Sequence, residues 1–354
     1  MRRRITTLLF LTSVAFSFLS AQNVFYFPQV GDGTAGTLGF RTEIILLNTG
    51  AASTALVEFF DSSGAPLVVT LGADTNSQFT YNLGKGVSLS VKTPGTGALK
   101  VGYARVTTPG AGVGGTAVFT GFTVPGNVNL FEAGVPASSQ IQNFSIIVDS
   151  IGTNDTGLAI LNPAAPGGAP ANVLLTLYDS AFNQIATTDV PLGGGQKLVQ
   201  FVSEYFAGNS AAVTAAQEMT GSLAVQGPPL AALTLRQNLP ALPFPQAVPT
   251  LTTFPVTAGV ASAVALASTL RLLSSGQLEL TLDTSSLADP IRAVTYRLYN
   301  GNTRMGDFRK ELQGNGRYVH RLDIGNGSTV TAAEVILLGS DGSEIGRFRL
   351  KPAR

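Results

Sequence analysis

The chain has 354 residues, with no Cys, no Trp and a single His, His320. That length holds about two or three domains. The counts exclude a disulfide framework, a thiol nucleophile, an iron–sulfur cluster and a zinc finger, and any Ser–His–Asp triad would have to use His320. Charged residues make up 12% of the chain and the formal net charge is +1, so no basic footprint for nucleic acid is present. At 44% hydrophobic residues there is ample material for packed cores.

The first 21 residues have the order of a secretory signal peptide. Arg2, Arg3 and Arg4 precede an uncharged, mostly apolar stretch from Ile5 to Leu19, and Leu19-Ser20-Ala21 offers a small-residue cleavage site. The apolar stretch is shorter than the ~20 residues of a spanning helix. Cleavage removes three of the 22 basic residues and leaves 19 against 21 acidic ones. The expected location is secreted: periplasm, cell surface or medium. Two later uncharged runs, Val106 to Phe131 and Gln237 to Leu270, are too rich in Pro and Gly for membrane spans.

From residue 22 onward the chain reads as strands. Short Val/Ile/Leu/Phe/Thr runs alternate with Gly, Pro, Asn and Asp clusters at intervals near ten residues, the pattern of an antiparallel sandwich. Arg41 to Thr49 followed by Val57 to Gly64 recurs as Asp155 to Pro163 followed by Leu175 to Ser180. Asn48 maps to Asn162 and Asp61 to Asp179. Further on, Gly97-Ala98-Leu99-Lys100-Val101 aligns with Gly221-Ser222-Leu223-Ala224-Val225, and Ala117-Val118-Phe119-Thr120 with Ala231-Ala232-Leu233-Thr234. A unit of domain size is thus used twice. Leu198, Phe201, Val202 and Tyr205, at i, i+3, i+4 and i+7 before Gly208, predict a short helix in the second copy alone.

After residue 269 the charge density rises about threefold, from 19 charged residues in 22–269 to 21 in 270–354. The alternating runs Gln277 to Leu282, Val294 to Tyr299 and Tyr318 to Ile324, with a final hairpin of Glu334 to Leu338 and Ile345 to Leu350 around Asp341-Gly342, predict a third β domain. The expected organisation is a signal peptide 1–21, sandwich repeats 22–137 and 138–245, a Pro/Ala-rich linker 246–268 and an immunoglobulin-like domain 269–354. The fold class is all-β, three tandem antiparallel sandwiches of which the first two are a duplication.

Phe27-Pro28-Gln29-Val30-Gly31-Asp32-Gly33, the strand ends at Asn48-Thr49 and Asn162-Pro163, and the pair Gly221 to Val225 and Ala232 to Asn238 carry a resemblance. Over residues 23–245 the chain resembles tandem β-sandwich modules of secreted bacterial proteins. The C-terminal domain resembles the general immunoglobulin or fibronectin-type sandwich. The resemblance implies the fold and brings no activity and no site residues with it.

Candidates for chemistry are few. His320 shares a strand face with Tyr318, Leu322 and Ile324, and reads as a structural histidine without a second His or any Cys to hold a metal. Glu43, Glu58 and Asp61 are the carboxylates from which a glycosidase pair could be drawn. Asp32-Gly33 and Asp341-Gly342 read as turns rather than calcium loops. The runs Gly110 to Gly115 and Gly193 to Gly195 lack the Gly-Lys-Ser/Thr ending of a phosphate loop. Tyr296, Tyr299 and Tyr318 are candidates for a carbohydrate platform. Arg304, Arg309, Lys310, Arg317 and Arg321 are interleaved with acids and read as a solvated face. No catalytic, cofactor or metal residue is assigned and no cofactor is expected. The reading is a secreted, non-enzymatic structural, adhesion or surface-assembly protein whose partner is itself, another surface protein or a glycan. The alternatives are an extracellular carbohydrate-binding protein and a hydrolase using paired carboxylates.

Overall fold

The structure is a computed structural model. It describes residues 22–181, 183–239, 250–258, 268–273, 276–285, 287, 290–301, 303–325, 328–350 and 352. The signal-peptide reading of 1–21 lies outside them. The described chain is all-β apart from two short helices.

The first sandwich is built from β1 (Asn23–Ala35), β2 (Leu38–Asn48), β3 (Ser53–Asp61), β4 (Val69–Leu71), β5 (Asp74–Asn76), β6 (Gln78–Leu83), β7 (Ser88–Lys92), β8 (Lys100–Thr108), β9 (Val113–Thr123) and β10 (Asn129–Pro136). One sheet runs β6-β3-β8-β1, the other β7-β2-β9-β10, and β4 and β5 form a separate hairpin. β1 belongs to both sheets. Its residues up to Asp32 pair with β8, while Gly33 to Ala35 pair with β2. Gly33 makes the bend at φ 113°, and a Cβ there would lie 2.5 Å from the carbonyl oxygen of Ala98. The Asp32-Gly33 step is therefore a corner within a strand and not a hairpin turn. Phe25, Phe27, Val57, Phe59, Ala104 and Val106 from one sheet meet Ile44, Leu46, Ala117 and Phe119 from the other in one core.

The second sandwich comprises β11 (Phe144–Asp149), β12 (Asn154–Leu161), β13 (Ala171–Asp179), β14 (Gln184–Leu192), β15 (Lys197–Phe201), α1 (Val202–Tyr205), α2 (Ser210–Gln217), β16 (Thr220–Gln226), β17 (Ala231–Asn238), β18 (Thr250–Phe254) and β19 (Thr257–Ala258). Its sheets run β14-β13-β16-β11-β19 and β15-β12-β17-β18. In eight of its strands this repeats the order of the first sandwich, with β11 in the place of β1 and β18 in the place of β10, while β4, β5 and β19 have no counterpart. The duplication extends to side chains. Thr42 Oγ1 accepts from Gly31 N and donates to Gly31 O; Thr156 Oγ1 does the same with Asp149 N and O. Each threonine ties the two sheets of its sandwich together. Asn48 Nδ2 donates to the carbonyls of Ala51 and Leu83, and Asn162 Nδ2 to those of Ala169 and Leu192.

Three expectations need correction. The equivalent of Gly221 to Val225 is Gly102 to Val106, not Gly97 to Val101. Asp61 pairs with Gly102 as Asp179 pairs with Gly221. Both positions demand glycine, because a Cβ would fall 2.0 Å from Phe60 O in one and 2.2 Å from Tyr178 O in the other. Likewise Leu47 pairs with Gly114 where Leu161 pairs with Ala231, so Ala231 corresponds to Gly114 rather than Ala117. Next, Leu198 and Phe201 lie in strand β15, and the helical turn starts only at Val202. Pairing with β12 claims them for the sheet. A longer helix, α2, follows. Its N-terminus is capped by Asn209, whose side chain accepts from Ala212 N. Finally, residues 250–258, expected as linker, contribute strands to the second sandwich, where β18 pairs with β17 and β19 with β11.

The third sandwich contains β20 (Thr269–Leu272), β21 (Gln277–Asp283), β22 (Ile291–Asn300), β23 (Thr303–Glu311), β24 (Arg317–Asp323), β25 (Ala332–Gly339) and β26 (Glu344–Leu350). Its sheets are β20-β21-β24 and β23-β22-β25-β26. The fourth strand sits beside the third, whereas a constant-type immunoglobulin domain places it with the first sheet.

The sandwiches stack face to face. Tyr26 and Tyr103, on the outer face of the β6-β3-β8-β1 sheet, pack on Leu161 and Ala231 of the second sandwich. The opposite sheet of the second sandwich meets the third, where Tyr178 donates to Glu334 at 3.0 Å and Arg349 to Gln184 at 2.8 Å.

Candidate functional site

The junction between the repeats carries the strongest candidate. It originates in β12, whose run Leu158-Ala159-Ile160-Leu161 is apolar at successive positions and buried throughout. Alternation sends Leu158 and Ile160 into the core of the second sandwich, while Ala159 joins the first repeat's core and Leu161 the junction cluster. A strand buried on both faces must be covered by another layer, and the first repeat provides it. At one edge the covering is incomplete and leaves a cleft of about 220 Å³. Its floor is Ala159, Leu233 and Leu235 with Phe119 of the first repeat. Val199, Phe201 and Leu251 form the walls, and Gln29, Gln200, Gln237 and Glu204 stand around it.

Gln29 is extruded where the β1–β8 register slips between Phe27 and Val30. Its Oε1 accepts from Lys197 Nζ at 2.9 Å, and Gly102 O accepts from the same ammonium at 2.6 Å. Lys197 is 5% exposed. Both acceptors are neutral, and burial pulls its pKa down to about 7. The carboxylate of Glu204 accepts from Phe201 N at 2.8 Å, which fixes it at the start of α1. Asp155, on β12 opposite Gln237, has its carboxyl pKa raised, first by burial and further by the charge of Glu204. The arrangement is an apolar slot with amide donors and acceptors, one carboxylate, and an amine behind one of the amides. Its chemistry suits non-covalent holding of a small, partly apolar, hydroxyl- or amide-bearing group.

The residues singled out in the sequence lie elsewhere and do not converge. Glu43 is on the outer face of β2, paired with Lys92 at 2.7 Å. Glu58 is on the outer face of β3 in the opposite sheet, held by two bonds from Arg105 at 2.8 and 2.9 Å. The sandwich core separates the two, so they form no catalytic pair. Asp61 is spent on its turn, accepting from Ser63 N, Ser63 Oγ and Ala65 N. Asp32 is buried and accepts from Gly95 N. Asp341 accepts from Ser343 N and Oγ in the β25–β26 turn. Gly110 to Gly112 form the β8–β9 turn, Gly114 and Gly115 already belong to β9, and Gly193 to Gly195 form the β14–β15 turn.

His320 faces inward from β24. It is hydrogen-bonded through Nδ1 to the Tyr296 hydroxyl at 2.6 Å, and its ring stacks on Tyr318 at 6.0 Å. The tyrosine platform is withdrawn: Tyr296 is fully buried and Tyr299 is 6% exposed, because both sit on β22, a strand covered on both faces. In the basic cluster, Arg304 pairs with Asp307, Arg309 with Glu311 and Arg321 with Glu279.

Sequence reasoning missed Gln29, Lys197 and Glu204. The doubly apolar run of β12 was the available signal that a further layer covers that sheet.

No protein-family model and no curated protein sequence matches the chain. Among solved structures, it is similar to "putative beta-galactosidase from bacteroides fragilis", at 12% identity over 67% of this chain and 32% of that one, with a TM-score of 0.20. It is also similar to an endonuclease/exonuclease/phosphatase from Beutenbergia cavernae, at 10% identity over 83% and 81% of the two chains, with a TM-score of 0.18. Likeness at that level carries no functional argument.

Proposed function

We propose that the chain is an exported, non-enzymatic protein of the cell exterior that acts in adhesion or surface assembly by presenting β-sandwich surfaces in a fixed arrangement. The observation that supports this reading is the chemistry of the junctions. Domains joined in one chain ordinarily move relative to one another unless their interface is extensive and well packed. Here one junction merges apolar side chains of both repeats into one cluster and buries Lys197. The other buries Glu334 among Tyr178, Tyr299, Arg297 and Arg347. Such junctions suit a protein that holds position. The test is fractionation of the producing cell with protease treatment of whole cells, followed by capture of envelope components with the purified full chain. Surface exposure or release together with capture supports the reading. Retention inside the cell, or turnover of glycosides by the purified chain, overturns it.

A second reading, carbohydrate binding, is favoured by the amide-lined apolar cleft, since amides over an apolar floor match the alternating hydroxyl and C–H faces of a sugar. Binding on a glycan array that is lost in both Phe201→Ala and Gln237→Ala supports it; silence across the array removes it.

A further inference from the structure

Strand β6, Gln78–Leu83, is the outer strand of its sheet, paired with β3 alone among the described strands. An edge strand exposes a row of unpaired backbone groups, and proteins ordinarily guard it with charge or proline. Its counterpart in the second repeat, β14, carries Asp189 and Pro191. Other edge strands of four or more residues also hold a charged residue, except β18, whose rim lies against β10 through a hydrogen bond from Thr253 to Gly134 O. β6 has neither charge nor proline. Its Gln78, Thr80 and Asn82 point outward and are exposed, while Phe79 and Leu83 point into the core.

The strand is complementary to itself. In an antiparallel pairing of two β6 strands centred on Thr80, Thr80 faces Thr80, Gln78 faces Asn82 twice, and Phe79 faces Tyr81 twice on the inner side. Like residues on like faces meet only in such a register, and Thr–Thr and aromatic pairs are favourable across strands. The flanking charges agree: Lys85 of each chain falls opposite Thr75 of the other, next to Asp74, and both charged residues are exposed. We propose that β6 is a homotypic strand-addition edge, pairing with β6 of a second copy about a two-fold axis through Thr80 and joining two four-stranded sheets into one of eight. An isologous contact of this kind closes as a dimer. The proposal deepens the assembly reading and rests on it for its biological meaning.

The test uses the full mature chain. Sedimentation across a concentration series is expected to show a monomer–dimer equilibrium, with amide hydrogen exchange at residues 78–83 slowing on dimerisation. Thr80→Lys sets two ammonium groups opposite each other and is expected to weaken the dimer by about tenfold or more. Thr54→Lys places the same charge on the same sheet face one strand further in, and is expected to leave the dimer intact. Unchanged far-ultraviolet circular dichroism and Tm show that both variants fold. A wild-type chain that stays monomeric, an unweakened Thr80→Lys dimer, or a dimer with fast exchange at 78–83 overturns the proposal. A monomer that still captures envelope components overturns edge pairing while the assembly reading stands.

Discussion

At the scale of single residues, the duplication is carried by polar side chains that close the sandwich ends. Asn48 is fully buried, donating to the Ala51 and Leu83 carbonyls and accepting from Gly50 N; Asn162 repeats this with Ala169, Leu192 and Ala164. Removing either amide strands buried carbonyls, at a cost of about 1–3 kcal/mol. Asn48→Ala and Asn162→Ala are therefore expected to lower the urea midpoint by similar amounts without changing the slope. Lys197 gives a pH signature. Its pKa is depressed to about 7 in the fold, against ~10.4 for an unfolded lysine. Between these values the unfolded chain binds more protons, so stability rises with pH from about 7 to 9 and flattens below about 7. Above about 9 the raised tyrosine pKa values, such as that of Tyr103 at about 12, oppose the trend. Lys197→Met is expected to remove the rise, as read by Tm against pH.

At the scale of elements, much was legible because strand alternation is a local signal. The alternating runs in 270–354 correspond to β21, β22 and β24, and the expected final hairpin to β25 and β26. The duplication was legible at Asn48/Asn162 and Asp61/Asp179, where turn chemistry needs particular side chains. It was misaligned at Gly97 to Val101, because small apolar strings resemble one another in any register. The true counterpart, Gly102, is set by the approach of the neighbouring strand's carbonyl, which no local pattern reports. Gly102→Ala and Gly221→Ala are each expected to cost about 1–3 kcal/mol, whereas Gly97→Ala, which meets no atom within 4 Å, is expected to suffer only from its positive φ. A denaturant series on the three variants checks this ordering. The helical spacing at Leu198 to Tyr205 located a helix in the second repeat but began it too early, because edge pairing with β12 takes Leu198 and Phe201 into the sheet. The cleft was illegible since its residues come from β1, β9, β12, β15, α1, β17 and β18, and only the stacking of two domains assembles them.

At the scale of the whole molecule, the two junctions differ in kind. The repeats share apolar contacts, while the third sandwich is held by Glu334, which is fully buried and receives Tyr178 at 3.0 Å and Arg347 at 3.3 Å. Glu334→Ala takes one carboxylate from Arg347, which keeps its pair with Glu344. Breaking a buried pair costs about 3–5 kcal/mol, and the low end is expected here because one partner remains. Calorimetry of the full chain is expected to show the third sandwich melting in a separate, earlier transition in the variant. A single unsplit transition would mean that the other contacts of the junction, Arg349 with Gln184 among them, hold it without Glu334.

The stacking also gives the two repeats a fixed order. On the face where the second repeat receives the first, Gly157 pairs with Phe201 and Leu161 with Lys197. The same positions in the first repeat hold Glu43 with Lys92 and Leu47 with Ser88. Exchanging the repeats in the chain would bury an ion pair between sandwiches and turn the half-buried Phe201 out to water. Two units alike in topology are thus distinguishable by a handful of side chains, and the chain carries its own direction in them.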